Sequence, residues 1–296
     1  MTLSNKYRPK EFNELIDQEV ACTVLSNQIE RNTFCHANLF IGPAGCGKTS
    51  AARIFSSKIH GETLELDCAS HNGVADIKEI IEHAKTSSIV YKYKVFILDE
   101  CHMLTSQAWA ALLITLEETL PRSIFIFCTT DAQKIPNTIL SRVQELNFLP
   151  IKTQSIFERI MFICEKEELK IEKESAQCIA KSAHGNLRQS LTNLDKCLLY
   201  GSLELESVCR ALNVISDNIM EEVTNAYTNK DVNKIVSLIE NIYNNGYNLH
   251  MFVRQFLDYS LKGSNLKLVD CILTIMQDIR YDDMPKNLII ARLLTK

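Results

Sequence analysis

Close cysteine pairs, long apolar runs and a dominant sign of charge are all missing from this 296-residue chain. Each absence removes a class of protein. The eleven cysteines are scattered, with no C-x-x-C pair anywhere, whereas tetrahedral zinc sites draw their ligands from such pairs. Structural zinc is therefore not expected, and the odd, dispersed set reads as free thiols, many serving as small buried hydrophobes. No stretch approaches the roughly 20 consecutive apolar residues that a bilayer-spanning helix requires, so no membrane partner is expected. The opening Met1-Thr2-Leu3-Ser4-Asn5-Lys6 has neither an apolar core nor a small-residue cleavage site, which argues against a secretory signal. A soluble, cytoplasmic protein is the expectation. The net charge of −4 neither requires nor forbids nucleic acid, because a local basic surface can sit on a mildly acidic protein. With six prolines and nine glycines, the chain has no low-complexity tail and no internal repeat.

What is present is ordinary globular material, 46% hydrophobic and 23% charged, in a length that suits two or three compact units. Apolar runs of four or five residues recur in the first half, at Asn38–Ile41, Thr63–Asp67, Lys94–Leu98 and Ile124–Cys128. Their near-continuous apolarity suits parallel strands covered on both faces. Between them the spacing predicts helices over Lys48–Lys58, Val74–Ala84 and Ser106–Glu118, and Val143–Phe148 offers one more strand. Strand and helix in alternation argue for an α/β fold around a parallel sheet. After Pro150 strand patterns disappear, and helices are expected over Ser155–Glu167, Glu174–His184 and Asn186–Tyr200. A further helical block follows Ser216, broken at Gly246 and at Gly263-Ser264-Asn265. The expected layout is an α/β nucleotide-binding domain at 1–150, a helical lid at 151–212 and a helical collar at 213–296.

The chemistry begins at Gly42-Pro43-Ala44-Gly45-Cys46-Gly47-Lys48-Thr49, which fits G-x-x-x-x-G-K-[ST] at every fixed position. Glycines let the backbone curl so that several N–H groups converge on one anion at the start of a helix. In such a P-loop Lys48 reaches the β- and γ-phosphates of ATP, and the Thr49 hydroxyl is offered to Mg²⁺. The third apolar run ends in Asp99-Glu100. Beside a P-loop, Asp99 would hold Mg²⁺ through water and Glu100 would polarise the attacking water. Cys46 and Cys101 read as space fillers, and His102 reads equally as a packing residue or a polar one. Taken alone, Thr130 is unremarkable, and Arg142 and Arg188 read as surface ion pairs.

In combination these segments resemble the AAA+ clamp-loader ATPases, and among them the gamma/tau subunits of the bacterial replicative polymerase's loader. Tyr7-Arg8-Pro9 is similar to that family's Y-R-P box, and Asp17-Gln18-Glu19 follows it. Leu66–Val74, Leu98–Thr105, Ala110–Glu118, Lys134–Arg142 and Gly185–Ser190 then come in the family's order. The resemblance implies that Tyr7, Arg8 and Pro9 lie near the adenine, that Ser50 joins the P-loop's nucleotide contacts, and that Thr130 is the first sensor. It also implies that Arg142 is a finger acting on a neighbouring subunit's ATP, and that Arg188 contacts the γ-phosphate from the lid. Asn72, Gly73, Ser106 and Gln107 would face primer–template DNA, where helix N-termini and short polar side chains hold phosphates.

Two departures accompany the resemblance. The family's cysteine-rich zinc module is absent, its place taken by Ser56–Glu62, and Val143 replaces the cysteine after the finger arginine. The chain also stops at Lys296 without the long tail of the tau form, as a streamlined or viral loader, or a truncated piece, would. The function implied is an ATPase subunit of a ring-shaped, pentameric loader that places a sliding clamp on DNA. One alternative is another AAA+ or DExH-type ATPase, suggested by Asp99-Glu100-Cys101-His102. The helicase form would need a second RecA-like domain, which the helical second half does not offer. A hydrolysis-poor structural subunit is the other alternative, yet Lys48, Glu100 and Arg142 are all retained.

Overall fold

The computed structural model describes residues 2–86, 88, 90–118, 120, 122–263, 265–279 and 284–295. Ser264, in the expected break before the last helices, lies outside them, as do Met1 and Lys296. Two compact units emerge, one formed by Met1–Ile163 with Ala183–Thr192, the other by Cys164–Ser182 with Asn193–Lys296.

The first unit opens with a single helical turn, α1 (Leu3–Lys6), and a longer helix, α2 (Glu19–Glu30), which the sequence pattern did not flag. Five strands and four helices follow in alternation. They are β1 (Ala37–Ile41), α3 (Lys48–Lys58), β2 (Gly61–Asp67), α4 (Val74–Lys85), β3 (Tyr93–Asp99), α5 (Ser106–Glu117), β4 (Ser123–Thr129), α6 (Asn137–Leu140) and β5 (Gln144–Asn147). All strands pair in parallel, in the spatial order β2-β3-β4-β1-β5.

Alternate residues of the central strands serve opposite faces, as the two-residue pleat requires. Leu39, Phe96, Leu98, Phe125 and Phe127 pack with Ile77, Trp109 and Leu112 of α4 and α5. Phe40, Val95, Ile97, Ile124, Ile126 and Cys128 pack with Leu25, Ala51 and Phe55 of α2 and α3. Because both faces are covered, the strands read as unbroken apolar runs. Strand β2 departs from that expectation. It sits at the sheet edge, so its burial alternates, and the outward Glu65 is held bidentately by Arg53 at 2.6 and 2.7 Å.

Helix α7 (Thr153–Lys166) follows β5. Next come α8 (Lys173–Ser182), α9 (Leu187–Tyr200), α10 (Leu205–Leu212), α11 (Asp217–Thr228), α12 (Val232–Asn244), α13 (Leu249–Ser260), α14 (Leu266–Asp278) and α15 (Pro285–Leu294). Helices α11 to α15 close a separate core around Val223, Ile239, Phe252, Phe256, Ile272 and Ile289. Asp231, Asn248 and Asn265 cap α12, α13 and α14 by accepting from backbone N–H groups of the first turn. Among the described residues, no helix is long and apolar enough to cross a membrane.

The ring of Phe96 is fully buried and stacks on Phe125 with centroids 5.0 Å apart. Phe96→Ala is expected to destabilise the first unit by about 3–5 kcal/mol, measured as a lowered urea midpoint; a loss below about 1 kcal/mol would contradict the packing described.

Candidate functional site

Strand β1 delivers the chain at Ile41 into the loop Gly42–Gly47, and α3 starts at Lys48. Gly45 and Gly47 have φ of +70° and +110°, the left-handed region that a side chain resists. Gly42 N donates to Thr129 O at 3.1 Å, which ties the loop to the end of β4. A Cβ on Gly45 would overlap the side-chain amide of Asn186. The loop is therefore gripped as well as curled.

Lys48 is 6% exposed, and its Nζ donates to the carbonyls of Gly42 and Pro43 at 2.7 and 2.9 Å. Two dipoles are a weak match for a buried ammonium, and an anionic oxygen is a stronger acceptor. At the next residue, Thr49 Oγ1 donates to Asp99 Oδ2 at 2.7 Å. Hydroxyl and carboxylate together make a pair of hard oxygen donors, the chemistry that Mg²⁺ selects.

Glu100 follows with φ +50°, a strained conformation for a residue with a side chain. Its Oε2 accepts from Thr130 Oγ1 at 3.1 Å and lies 3.3 Å from His102 Nδ1. The same imidazole nitrogen is 3.3 Å from the buried Thr129 hydroxyl. His102 is thus a polar link between the ends of β3 and β4, which resolves the two readings of it. Cys46 and Cys101 behave as fillers. Burial pushes both thiols up, so neither offers a ready thiolate.

A cavity of about 420 Å³ has Tyr7, Arg8, Pro9, Ala44 to Ser50, Asp99, Glu100 and Arg188 on its lining, while Gly42, Pro43 and Thr130 stand behind it. Arg8 Nε donates to Ser50 Oγ at 3.4 Å. Burial holds the Arg8 guanidinium below its ordinary value, and repulsion from Arg53 and Arg188 adds to the effect. Three cations, Lys48, Arg8 and Arg188, therefore line one half-enclosed space. A polyanion would relieve their repulsion.

The sequence reading missed part of the wall. Leu15, Ile16, Ile151, Leu187 and Leu191 contribute apolar surface to the cavity. Leu15-Ile16 was visible as an apolar pair between acidic residues, but nothing local said which way it faced.

Arg142 is not on this lining. Its guanidinium donates to Glu117 Oε1 and Thr138 O at 2.7 Å each and to Ser141 Oγ at 3.1 Å. It borders a different cavity of about 540 Å³, with Phe34, Cys35, Tyr93 and Gln144. Asn72, Gly73, Ser106 and Gln107 lie elsewhere again. Gly73 and Thr105 precede α4 and α5, and Thr105 N donates to Asn72 O at 3.2 Å, so the two helix starts are neighbours.

Comparison with known proteins adds a family context. Residues 67–152 match the model described as "DNA polymerase III, delta subunit". Residues 158–197 match the "RCF1/5-like, AAA+ ATPase lid domain". The chain is 37% identical over 240 residues to the DNA polymerase III subunit gamma/tau of Mycoplasma genitalium, an alignment covering 72% of this chain and 40% of that protein. It is 38% identical over 218 residues to the DNA polymerase III subunit tau of Bacillus subtilis, covering 66% and 39%. The chain thus spans about 40% of the length of the curated relatives it matches. Among solved structures, the Thermotoga maritima RuvB Holliday junction branch migration motor superposes with a TM-score of 0.60 at 19% identity, over 74% of this chain and 79% of that one. That likeness and the lid-domain match together show the AAA+ fold.

Gly45 links the loop to Asn186, and one substitution tests the grip. Gly45→Ala is expected to weaken triphosphate binding by about tenfold or more, since it adds left-handed strain and a clash. In an Asn186→Ala background, the loss caused by Gly45→Ala should be smaller, each titration being referred to Asn186→Ala alone. An equal loss in both backgrounds would show that the contact carries no weight.

Proposed function

This chain is a homologue of the gamma/tau subunits of DNA polymerase III, and on that premise we propose that it is an ATP-hydrolysing subunit of a clamp loader. Its task would be to open a sliding clamp and place it on primer–template DNA. The observation that carries the reading is the division of charges. Lys48, Arg8 and Arg188 share a cavity with Asp99 and Glu100, while Arg142 faces other residues. A chain supplying most of a phosphoryl-transfer site, and holding the arginine that the family resemblance makes a finger away from that site, fits a catalyst completed by a neighbour.

In this reading the loop's N–H groups and Lys48 bind the β- and γ-phosphates, and Tyr7, Arg8 and Pro9 border the base and sugar. Thr49 and Asp99 would hold Mg²⁺, which when bound neutralises charge between phosphates. Glu100 accepts a proton from the attacking water. Thr130 and His102, both within hydrogen-bonding reach of the Glu100 carboxylate, orient it for that role. Arg188 senses the γ-phosphate within the chain. Arg142 leaves Glu117 to stabilise transition-state charge on the neighbour's nucleotide.

The proposed partners are further loader subunits in a pentameric ring, the clamp and DNA. Helices α11 to α15 would serve as the assembly collar, and the paired starts of α4 and α5 would meet DNA phosphates. DNA contact would trigger hydrolysis, so the isolated chain should bind ATP and turn it over slowly. The proposed cofactor is Mg²⁺ alone.

Lys48→Ala should reduce DNA-stimulated turnover by the assembled complex about 10²-fold or more; unchanged turnover would remove the assignment of the cavity. Arg142→Ala should leave nucleotide affinity within about twofold while lowering turnover by roughly 10³-fold. Loss of binding instead would mark Arg142 as a structural arginine.

A further inference from the structure

Asp17 and Gln18 belong to none of the roles above, yet they make a dense set of bonds to a remote part of the chain. Gln18 is 2% exposed. Its Nε2 donates to Leu149 O at 2.8 Å, and its Oε1 accepts from Leu149 N at 3.0 Å. The side-chain amide therefore pairs with one residue's backbone as a neighbouring strand would. Asp17 adds two more bonds, accepting from Lys152 N on Oδ2 at 2.8 Å and from Ser155 Oγ on Oδ1 at 3.0 Å. Its backbone is left-handed, with φ +58°, which turns the chain sharply just after Leu15-Ile16. Four hydrogen bonds thus join two adjacent residues to the segment 149–155, more than 130 positions away.

What lies at each end of this joint gives it meaning. On one side, Leu15 and Ile16 line the cavity beside Tyr7, Arg8 and Pro9. On the other, Ile151 also lines the cavity, and Ile151 N donates to Gly185 O at 3.1 Å. Gly185 has φ +83° and leads through Asn186 directly into α9. Asn186 Oδ1 accepts from Gln189 N at 2.9 Å, capping that first turn, which carries Arg188. Bonded contacts thus run from the cavity wall at Leu15-Ile16, through Asp17-Gln18 and Leu149–Lys152, to Gly185 and Arg188. Every member belongs to the first unit.

We infer that Asp17 and Gln18 are positioning residues for Arg188, setting where its guanidinium stands relative to the third phosphate of a bound nucleotide. The inference rests on the proposal that Arg188 contacts that phosphate. The start of α9 meets the sheet through the close approach of Asn186 to Gly45 and through the bond from Ile151 N to Gly185 O, and the joint holds the segment that makes the second of these, so removing it loosens the approach of α9. A general weakening of the fold would lower affinity for ATP and ADP together. Misplacing Arg188 would lower affinity for ATP alone, because ADP lacks the group it meets.

The test measures ATP and ADP affinities of the full chain, by fluorescence competition, for Gln18→Ala, Asp17→Gly and Arg188→Ala. Glycine takes the left-handed backbone at 17 without resistance, so Asp17→Gly removes the acceptors for both Lys152 N and Ser155 Oγ with little new strain and stands in if Gln18→Ala folds poorly. Loss of one charge-assisted contact to a phosphate corresponds to about tenfold in affinity. We expect Gln18→Ala and Asp17→Gly to reduce the preference for ATP over ADP toward the Arg188→Ala level, with ADP affinity within about twofold of the parent. Combined with Arg188→Ala, neither should lower the preference further, as residues acting through one group do. If Arg188→Ala lowers the preference while the other two do not, or lose both nucleotides equally, the joint is structural and the inference falls. If Arg188→Ala leaves the preference unchanged, the sensing role of Arg188 falls and the inference falls with it.

Discussion

A parallel strand inserted between β1 and β3 sets the spacing on which the whole site depends. Because β4 separates the other two, the P-loop that leaves β1 and the acidic pair that ends β3 stand two strand widths apart, roughly 10 Å. Thr49, one residue into α3, spans that gap to reach Asp99. The connections on either side of β4 and β1 lead away in opposite directions, to β2 on one flank and β5 on the other. A crevice at the strands' carboxyl ends is the usual ligand position in such sheets. Here it is occupied by a loop whose N–H groups and helix start already favour an anion.

Electrostatics then gives the crevice its character. The chain carries a net charge of −4, yet this cavity gathers Lys48, Arg8 and Arg188 beside Asp99 and Glu100. Burial, and then repulsion from Arg53 and Arg188, depress the basicity of Arg8, and an anionic ligand would favour the charged form of each cation. Arg142, by contrast, is fully engaged with Glu117, Thr138 and Ser141. The proposed ring would exchange those contacts for a neighbour's phosphates, which would make assembly a condition of catalysis.

Much of the first unit was legible because its local signals agreed. The four apolar runs stand where strands form, and Lys48–Lys58 is helical over the same bounds that the sequence pattern predicts. Agreement failed where tertiary position decides. Strand β2 alternates Leu64 and Leu66 with Thr63, Glu65 and Asp67 instead of running apolar throughout, and the sheet order gives the reason: an edge strand has less to cover it, so Glu65 pairs with Arg53 at the surface. Helix α2 escaped notice because its apolar face is narrow: Ala21 and Leu25 are buried, while Val20 is 74% exposed. His102 was ambiguous because a lone imidazole has no periodicity to read, and only the meeting of β3 and β4 gives it partners.

The sequence by itself determined the phosphate loop, the acidic pair and the alternation that builds a parallel sheet, since these are encoded by residues within one turn or strand of each other. Tertiary structure alone decided which distant groups share the cavity. Arg8 and Arg188 stand 180 positions apart and line the same space, while Arg142, closer in sequence to the P-loop than Arg188, faces elsewhere. The hold of Gln18 on Leu149 has the same origin. A side-chain amide makes that pair of bonds only where the fold brings a backbone edge within reach, and no spacing along the chain records such an encounter.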